Sequence, residues 1–346
     1  MPKVTVLMPV YNASPYIDSA ISSILNQTFD DFEFLIFNDG STDNSEDKIN
    51  SYNDKRIQFF DSKTNVGYVH HLNHGIEIAK GEYIARMDAD DISLPNRIKK
   101  QVDFMDNHPK VGICGTWFKI IDSNSTVKHP TKNTEIRLAL LNNSAIGHPT
   151  AMLRNTLLHQ YNLRYDASFV PAEDYLLWVN ATKYCQLANL PEVLLKYRVH
   201  TNQISTFRKT EQSIKAQIIR KNQIEILLNR TLNEDENLLH KLLFQEKIDI
   251  KSYNILNLEE WIDRLIAVNL LCKIYPENNF SRFLKQKFNN IYKNSYTSQD
   301  NSTRNYNLEN LKDFWLSKEN HFLYFSNLQK TIFSIKCLIR YPRHTN

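Results

Sequence analysis

Between Val4 and Asp91 the sequence alternates short apolar runs with stretches of helical periodicity, and this alternation restricts the fold to a mostly parallel α/β sheet. Val4-Thr5-Val6-Leu7-Met8, Phe32 to Phe37, Ile57-Gln58-Phe59-Phe60 and Tyr83 to Met87 read as buried strands, being short, apolar and rich in β-branched or aromatic residues. The first intervening helix places Ile17, Ile21, Ile24 and Leu25 on one face, with Ser14 as N-cap and Pro15 at its first position. A later helix follows Asn65-Val66-Gly67, carries Val69, Leu72, Ile76 and Ala79, and is expected to stop at Gly81.

In parallel α/β sheets ligands bind outside the carboxyl ends of the strands. Three polar clusters fall there: Tyr11-Asn12, Asp39-Gly40-Ser41 and Asp88-Ala89-Asp90-Asp91. Together they imply one composite pocket. No Gly-x-Gly-x-x-Gly follows the first strand and there is no Walker A loop, so the common dinucleotide and NTP cradles are excluded. Asp88, Asp90 and Asp91 repel one another unless a cation sits among them. Alternate strand residues share a face, so Asp-x-Asp at a strand end aims both carboxylates at one point. An all-oxygen donor set suits Mg²⁺ or Mn²⁺. The plain alternative is a solvated acidic turn capping the helix that begins at Leu94.

Further on, Leu94 to Met105 reads as an amphipathic helix, Val111 to Ile121 as a strand and Glu135 to Leu141 as a helix. Glu173-Asp174 opens a helix that ends near Cys185, and Leu187 to Leu190 and Leu194 to Val199 form two short strands. The acidic pair either complements the helix dipole or supplies a general base, Asp174, with Glu173 in support. His200, close to Arg198, follows the last strand where it could reach a metal or diphosphate. His148 similarly faces a loop, where it either serves the site or packs in a turn against Pro149. Arg86 lies inside an apolar strand and needs an acid or a phosphate as partner. Tyr11 could stack on a nucleobase. For each of these the ordinary role, a packed or turn residue, stands beside the functional one.

After Phe207 long helical periodicity takes over, and a boundary near residue 206 separates an α/β domain (1–206) from a helical region (207–346). Asn294 to Tyr306 reads as a polar loop. The tail from Phe325 combines Ile332, Phe333 and Ile335 with Lys330, Lys336, Arg340 and Arg343; it could touch an anionic membrane or dock as a terminal helix. A net charge of +4 over 346 residues gives no argument for nucleic acid. Four scattered cysteines, without metal spacing, read as reduced thiols. Met1-Pro2-Lys3 runs straight into a strand and no window has the length of a membrane span, so a cytoplasmic protein is expected, peripheral on a membrane at most.

Pro9-Val10-Tyr11-Asn12, Asn38 to Asp43, Asn65-Val66-Gly67, Arg86 to Asp91 and Glu173 to Trp178 together resemble the family 2 glycosyltransferases of GT-A fold, over residues 3 to about 205. The Arg86 variant with a His148-Pro149-Thr150 segment is similar to bacterial lipopolysaccharide and capsule transferases. The resemblance implies metal-dependent, inverting transfer from a nucleotide-diphospho-sugar, commonly UDP-linked, to a glycan or lipid-linked acceptor. It implies that Pro9, Tyr11 and Asp39 hold the base and that Asn12, Asn65, Gly67, Arg86 and His148 line the donor site. Asp88 would meet the ribose or sugar, Asp90, Asp91 and His200 the metal, and Asp174 would be the base. Relatives often carry an acid where this chain has Asn38 and an arginine where it has His71. Two rivals remain: a sugar-1-phosphate nucleotidyltransferase, which needs a glycine-rich basic loop absent here, and a non-catalytic binding protein of the same fold.

Overall fold

The computed structural model describes residues 1–123, 125–200, 203, 207–244 and 255–297. In chain order the strands are β1 (Val4–Val10), β2 (Phe32–Asp39), β3 (Ile57–Ser62), β4 (Tyr83–Arg86), β5 (Ile92–Ser93), β6 (Val111–Ile120), β7 (Thr126–Val127), β8 (Met152–Arg154) and β9 (Gln186–Tyr197). The helices α1 to α7 are Ile17–Leu25, Ser45–Asn50, Tyr68–Ile78, Arg97–Asn107, Asn133–Ala139, Asn155–Gln160 and Glu173–Ala181. Then follow α8 (Lys209–Leu228), α9 (Glu234–Phe244), α10 (Ile255–Cys272) and α11 (Glu277–Thr297).

One mixed sheet runs β3-β2-β1-β4-β8-β6-β9-β5, with β7 attached to β6. The first four strands are parallel, as the alternation predicts, whereas β8 runs antiparallel to both β4 and β6. Strand parity sorts the side chains. Val4, Val6, Met8 and Val10 of β1 pack with Phe34 and Ile36 of β2 against α1 and α4. Leu7, Leu35, Phe37 and Ile84 face α3 and α7 on the other side. By the same parity Asp39 and Arg86 belong to the α3/α7 face, and that determines which partners they meet.

Several local expectations are corrected. Helix α1 begins at Ile17, and Ser14 does not cap it; its backbone N–H instead donates to Asp43 Oδ2 at 2.9 Å. Asp43 thereby ties the β1 exit to the turn before α2, whose first residue, Ser45, also donates to it. Helix α3 ends at Ile78 and Gly81 has no positive φ, so it is no C-cap. Gly81 is required because a Cβ there would stand 2.4 Å from the Thr5 nitrogen and 2.6 Å from the Val4 carbonyl carbon. Helix α4 starts at Arg97, three residues late, because Ile92–Ser93 first pairs with β9. The two short strands after α7 are one strand, β9, whose pairing with β6 shifts register between Thr116 and Phe118.

The chain divides into two compact units between Arg220 and Lys221, inside α8; residue 206 lies just ahead of that helix. Asn294 to Thr297, expected in a loop, continue α11. The basic tail from Phe325 lies outside the described residues. Among the described residues no helix is long and apolar enough to cross a membrane.

Candidate active site

The ends of β1, β2, β4 and β9, the His148 turn and the start of α7 supply the site. The β4 strand stops at Arg86, so Asp88, Asp90 and Asp91 converge through the turn between β4 and β5 and not through strand alternation. One oxygen from each of the three carboxylates lies within 4.8 Å of the others. Asp91 is fully buried; its Oδ1 accepts the Arg198 backbone N–H at 2.8 Å, and its Oδ2 has no partner. Burial, and then the charges of Asp88 and Asp90, push the Asp91 carboxyl well above its ordinary range. Asp90 moves the same way, opposed by His200, whose Nε2 donates to Asp90 Oδ2 at 2.9 Å. A buried carboxylate oxygen without a donor, beside two more carboxylates, is what a hard divalent cation satisfies. The residues therefore fit Mn²⁺ or Mg²⁺ held by Asp88, Asp90 and Asp91. His200 would border it, since its Nε2 is engaged by Asp90.

The segment after β9 is fastened to this turn. The Arg198 guanidinium donates through Nε to the Asp90 carbonyl at 2.8 Å and lies over the Tyr16 ring, 4.6 Å from its centroid. His200 stacks on the same ring at 5.2 Å. Neither Tyr16 nor the backbone role of Arg198 was visible in the sequence, because both depend on residues more than a hundred positions apart meeting.

On the α3/α7 face, buried Arg86 places Nη1 2.6 Å from Asp88 Oδ1, while its Nε has no partner. Glu173 and Asp174 open α7 on the same side, close enough to Arg86 and Tyr68 to interact electrostatically. Burial, followed by the Asp174 charge, raises the Glu173 carboxyl to about 7. Burial raises Asp174 to about 6, opposed by hydrogen bonds from the Tyr175 backbone and the Ser144 hydroxyl. Ser144 Oγ stands 3.4 Å from Asp174 Oδ2. Tyr68 donates to the Glu173 carboxylate, and His148 Nδ1 stands 3.9 Å from Glu173 Oε1. Glu173 Oε2 has no partner. His148 is held neutral by burial and by Arg86, and its Nε2 meets the Tyr165 hydroxyl at 3.1 Å. His148 thus belongs with the acidic pair, and Tyr68, Tyr165 and Ser144 join it.

At the end of β2 Asp39 is 2 % exposed. Its carboxylate accepts from the backbone of Val66 at 2.7 Å and Gly67 at 3.1 Å, and from His71 Nε2 at 2.9 Å. Gly67 has φ 92°, a left-handed conformation that brings its N–H round to the carboxylate and favours glycine. Asn12 is a fastening: its amide oxygen accepts from Thr42 N at 2.8 Å, and its own N–H donates to Ser41 Oγ at 3.0 Å. Pro9 is buried within β1, Asn65 is exposed, and Tyr11 is 52 % exposed at the β1 exit.

Residues 5–161 match the Glycosyl transferase family 2 model. An uncharacterised glycosyltransferase of Haemophilus influenzae is 35 % identical over 243 residues, 66 % of this chain and 75 % of that one. The chain belongs to glycosyl transferase family 2. This transferase is also 33 % identical over 208 residues to the UDP-Glc:alpha-D-GlcNAc-diphosphoundecaprenol beta-1,3-glucosyltransferase WfgD of Escherichia coli, covering 59 % of this chain and 79 % of that one. Its fold is similar to that of S. aureus TarS, solved with UDP-GlcNAc, with a TM-score of 0.57, 18 % identity, and coverage of 84 % and 89 % of the two chains. The transferase therefore has the α/β GT-A architecture followed by helices. The glycine-rich basic loop of a nucleotidyltransferase is absent, in keeping with the family.

Proposed function

We propose that this glycosyltransferase moves a sugar, with inversion, from a UDP-sugar to a hydroxyl of a glycan built on a lipid diphosphate or of a related surface polysaccharide. The observation that carries the reading is the juxtaposition of a buried acidic pair, Glu173 and Asp174, with the Arg86–Asp88 ion pair beside the acidic turn. The polyprenol-linked acceptor and UDP-linked donor in the name of WfgD support the substrate classes. Asp39 accepts from the donor's base, and Tyr11 offers its exposed ring to the base plane. Arg86 neutralises diphosphate charge. Asp174 accepts the proton of the acceptor hydroxyl as its oxygen forms a bond to the anomeric carbon. The bond from that carbon to the diphosphate breaks on the opposite side, and the electron pair leaves with the UDP. Asp88, Asp90 and Asp91 would hold Mn²⁺ or Mg²⁺, whose positive charge would offset the negative charge developing on the leaving group. An acceptor on a lipid places the enzyme at the inner face of the cytoplasmic membrane as a peripheral protein.

The deciding experiment measures UDP release from a panel of UDP-sugars with a short-chain lipid-diphosphate sugar as acceptor, with Mn²⁺ and with excess EDTA. Metal-dependent release with one donor is expected. Full release in EDTA removes the metal role, and donor binding without turnover on any acceptor favours a binding protein. His71→Ala removes one of the three donors that hold Asp39. It is expected to raise the donor KM about tenfold, or ~1.4 kcal/mol, with kcat little changed. Equal KM values in initial-rate assays would detach His71 from donor recognition.

A further inference from the structure

Arg97 and Gln101 are fully buried on the face of the sheet opposite the acidic pair. Their spacing puts them on the inner side of α4, one turn apart, among Ile98, Val102 and Met105. A buried arginine normally needs a carboxylate in direct contact. Arg97 has none among its hydrogen-bond partners. Its Nη2 donates to the Arg86 carbonyl at 2.6 Å, its Nη1 reaches Met87 Sδ at 3.6 Å, and its Nε donates to Gln101 Oε1 at 3.1 Å. Gln101 Nε2 in turn donates to the Thr150 carbonyl at 2.8 Å and to the Cys114 carbonyl at 3.3 Å. Burial draws the Arg97 guanidinium down to about 10, opposed through space by Asp91.

The atoms this pair holds are the ones from which the site departs. The Arg86 carbonyl is the last of β4, two residues before Asp88. Thr150 closes the short helical turn that carries His148. The Arg86 N–H already donates to the Ala151 carbonyl at 2.8 Å, so β4 and the end of that turn are also joined through the backbone. We propose that Arg97 and Gln101 are positioning residues, a buried bracket that aims the acidic turn for cation binding and fixes its register against the His148 turn. The inference rests on the metal reading above. Through space the Arg97 charge also favours Asp91 and Asp88 as neighbouring carboxylates before any metal arrives, which accounts for an arginine where a neutral donor would be easier to bury.

The test uses Arg97→Lys and Gln101→Leu in the full-length protein. Lysine keeps the charge and loses the fork that spans the Arg86 carbonyl and Gln101; leucine keeps the volume and frees the Thr150 carbonyl. Mn²⁺ binding is read by loss of the free-ion EPR signal, alongside circular dichroism to establish folding. Expected is a loss of Mn²⁺ affinity of about tenfold in Arg97→Lys, with kcat at saturating metal within a few-fold. Gln101→Leu is expected to lower kcat more than it lowers Mn²⁺ affinity. Folded variants with unchanged Mn²⁺ affinity, or tighter binding, overturn the bracket. If the wild-type protein itself binds no Mn²⁺, the metal reading fails and the bracket with it; wild-type binding with unaltered variants condemns the bracket alone.

Discussion

Asp174→Asn lowers kcat by about 10²–10⁴-fold, the range for removing a positioned general base, and leaves the donor KM nearly unchanged. Asparagine keeps the size of the side chain and can still meet Ser144, but it cannot accept the acceptor proton. The pH profile gives a second handle. Burial lifts Asp174 to about 6, so the basic form dominates above that pH and is depleted below it. For the wild type, kcat/KM should rise about tenfold per pH unit on the acid side and level above about 6. Steady-state UDP release at saturating acceptor measures both quantities. Turnover of the variant within tenfold of wild type, or a variant that keeps the acid limb, would move the base to another residue.

Glu173→Gln is expected to stabilise the metal-free protein above neutral pH while lowering activity. Glu173 is buried, has one oxygen without a donor and lies beside Asp174, so its charged form is disfavoured in the fold. Its folded value of about 7 stands above the ordinary 4.5. The folded state therefore binds the proton more tightly than the unfolded chain. The favourable contribution is complete below about 4.5 and is lost as pH rises through about 7. At pH 8 the penalty for ionising is about 1–3 kcal/mol, and glutamine removes it. Urea unfolding at pH 8 and at pH 5 should show a gain at pH 8 that is much smaller at pH 5. A gain of equal size at both, or a loss at pH 8, would mean that some contact other than buried charge governs this position.

The parallel half of the sheet was readable because each of its strands is a local apolar run, and local patterns survive without tertiary knowledge. The antiparallel β8, three residues long, has no such pattern; Met152-Leu153-Arg154 becomes a strand only because β4 and β6 flank it. The acidic turn was recognised from its composition, but for a geometric reason that does not hold, since the strand ends two residues before Asp88. Asp174 and Asp39 were legible as acids at element starts and strand ends, and their roles came from the resemblance. Arg97 and Gln101 escaped because polar residues one helical turn apart look like a solvated face. Their signal was available: both sit in phase with Ile98, Val102 and Met105. Gly81 was misread for the reverse reason, since a glycine just past a helix suggests a cap, and the crowding that requires it comes from Val4 and Thr5, far away in sequence.

The Arg198 N–H that fastens Asp91 lies 107 residues further along the chain. During synthesis, at about 5–20 residues per second, roughly 5–20 s separate the emergence of these two residues. The nascent acidic turn passes that interval without its latch, so the hydrogen bond that fixes Asp91 can form only long after the strand that leads into the turn has been made.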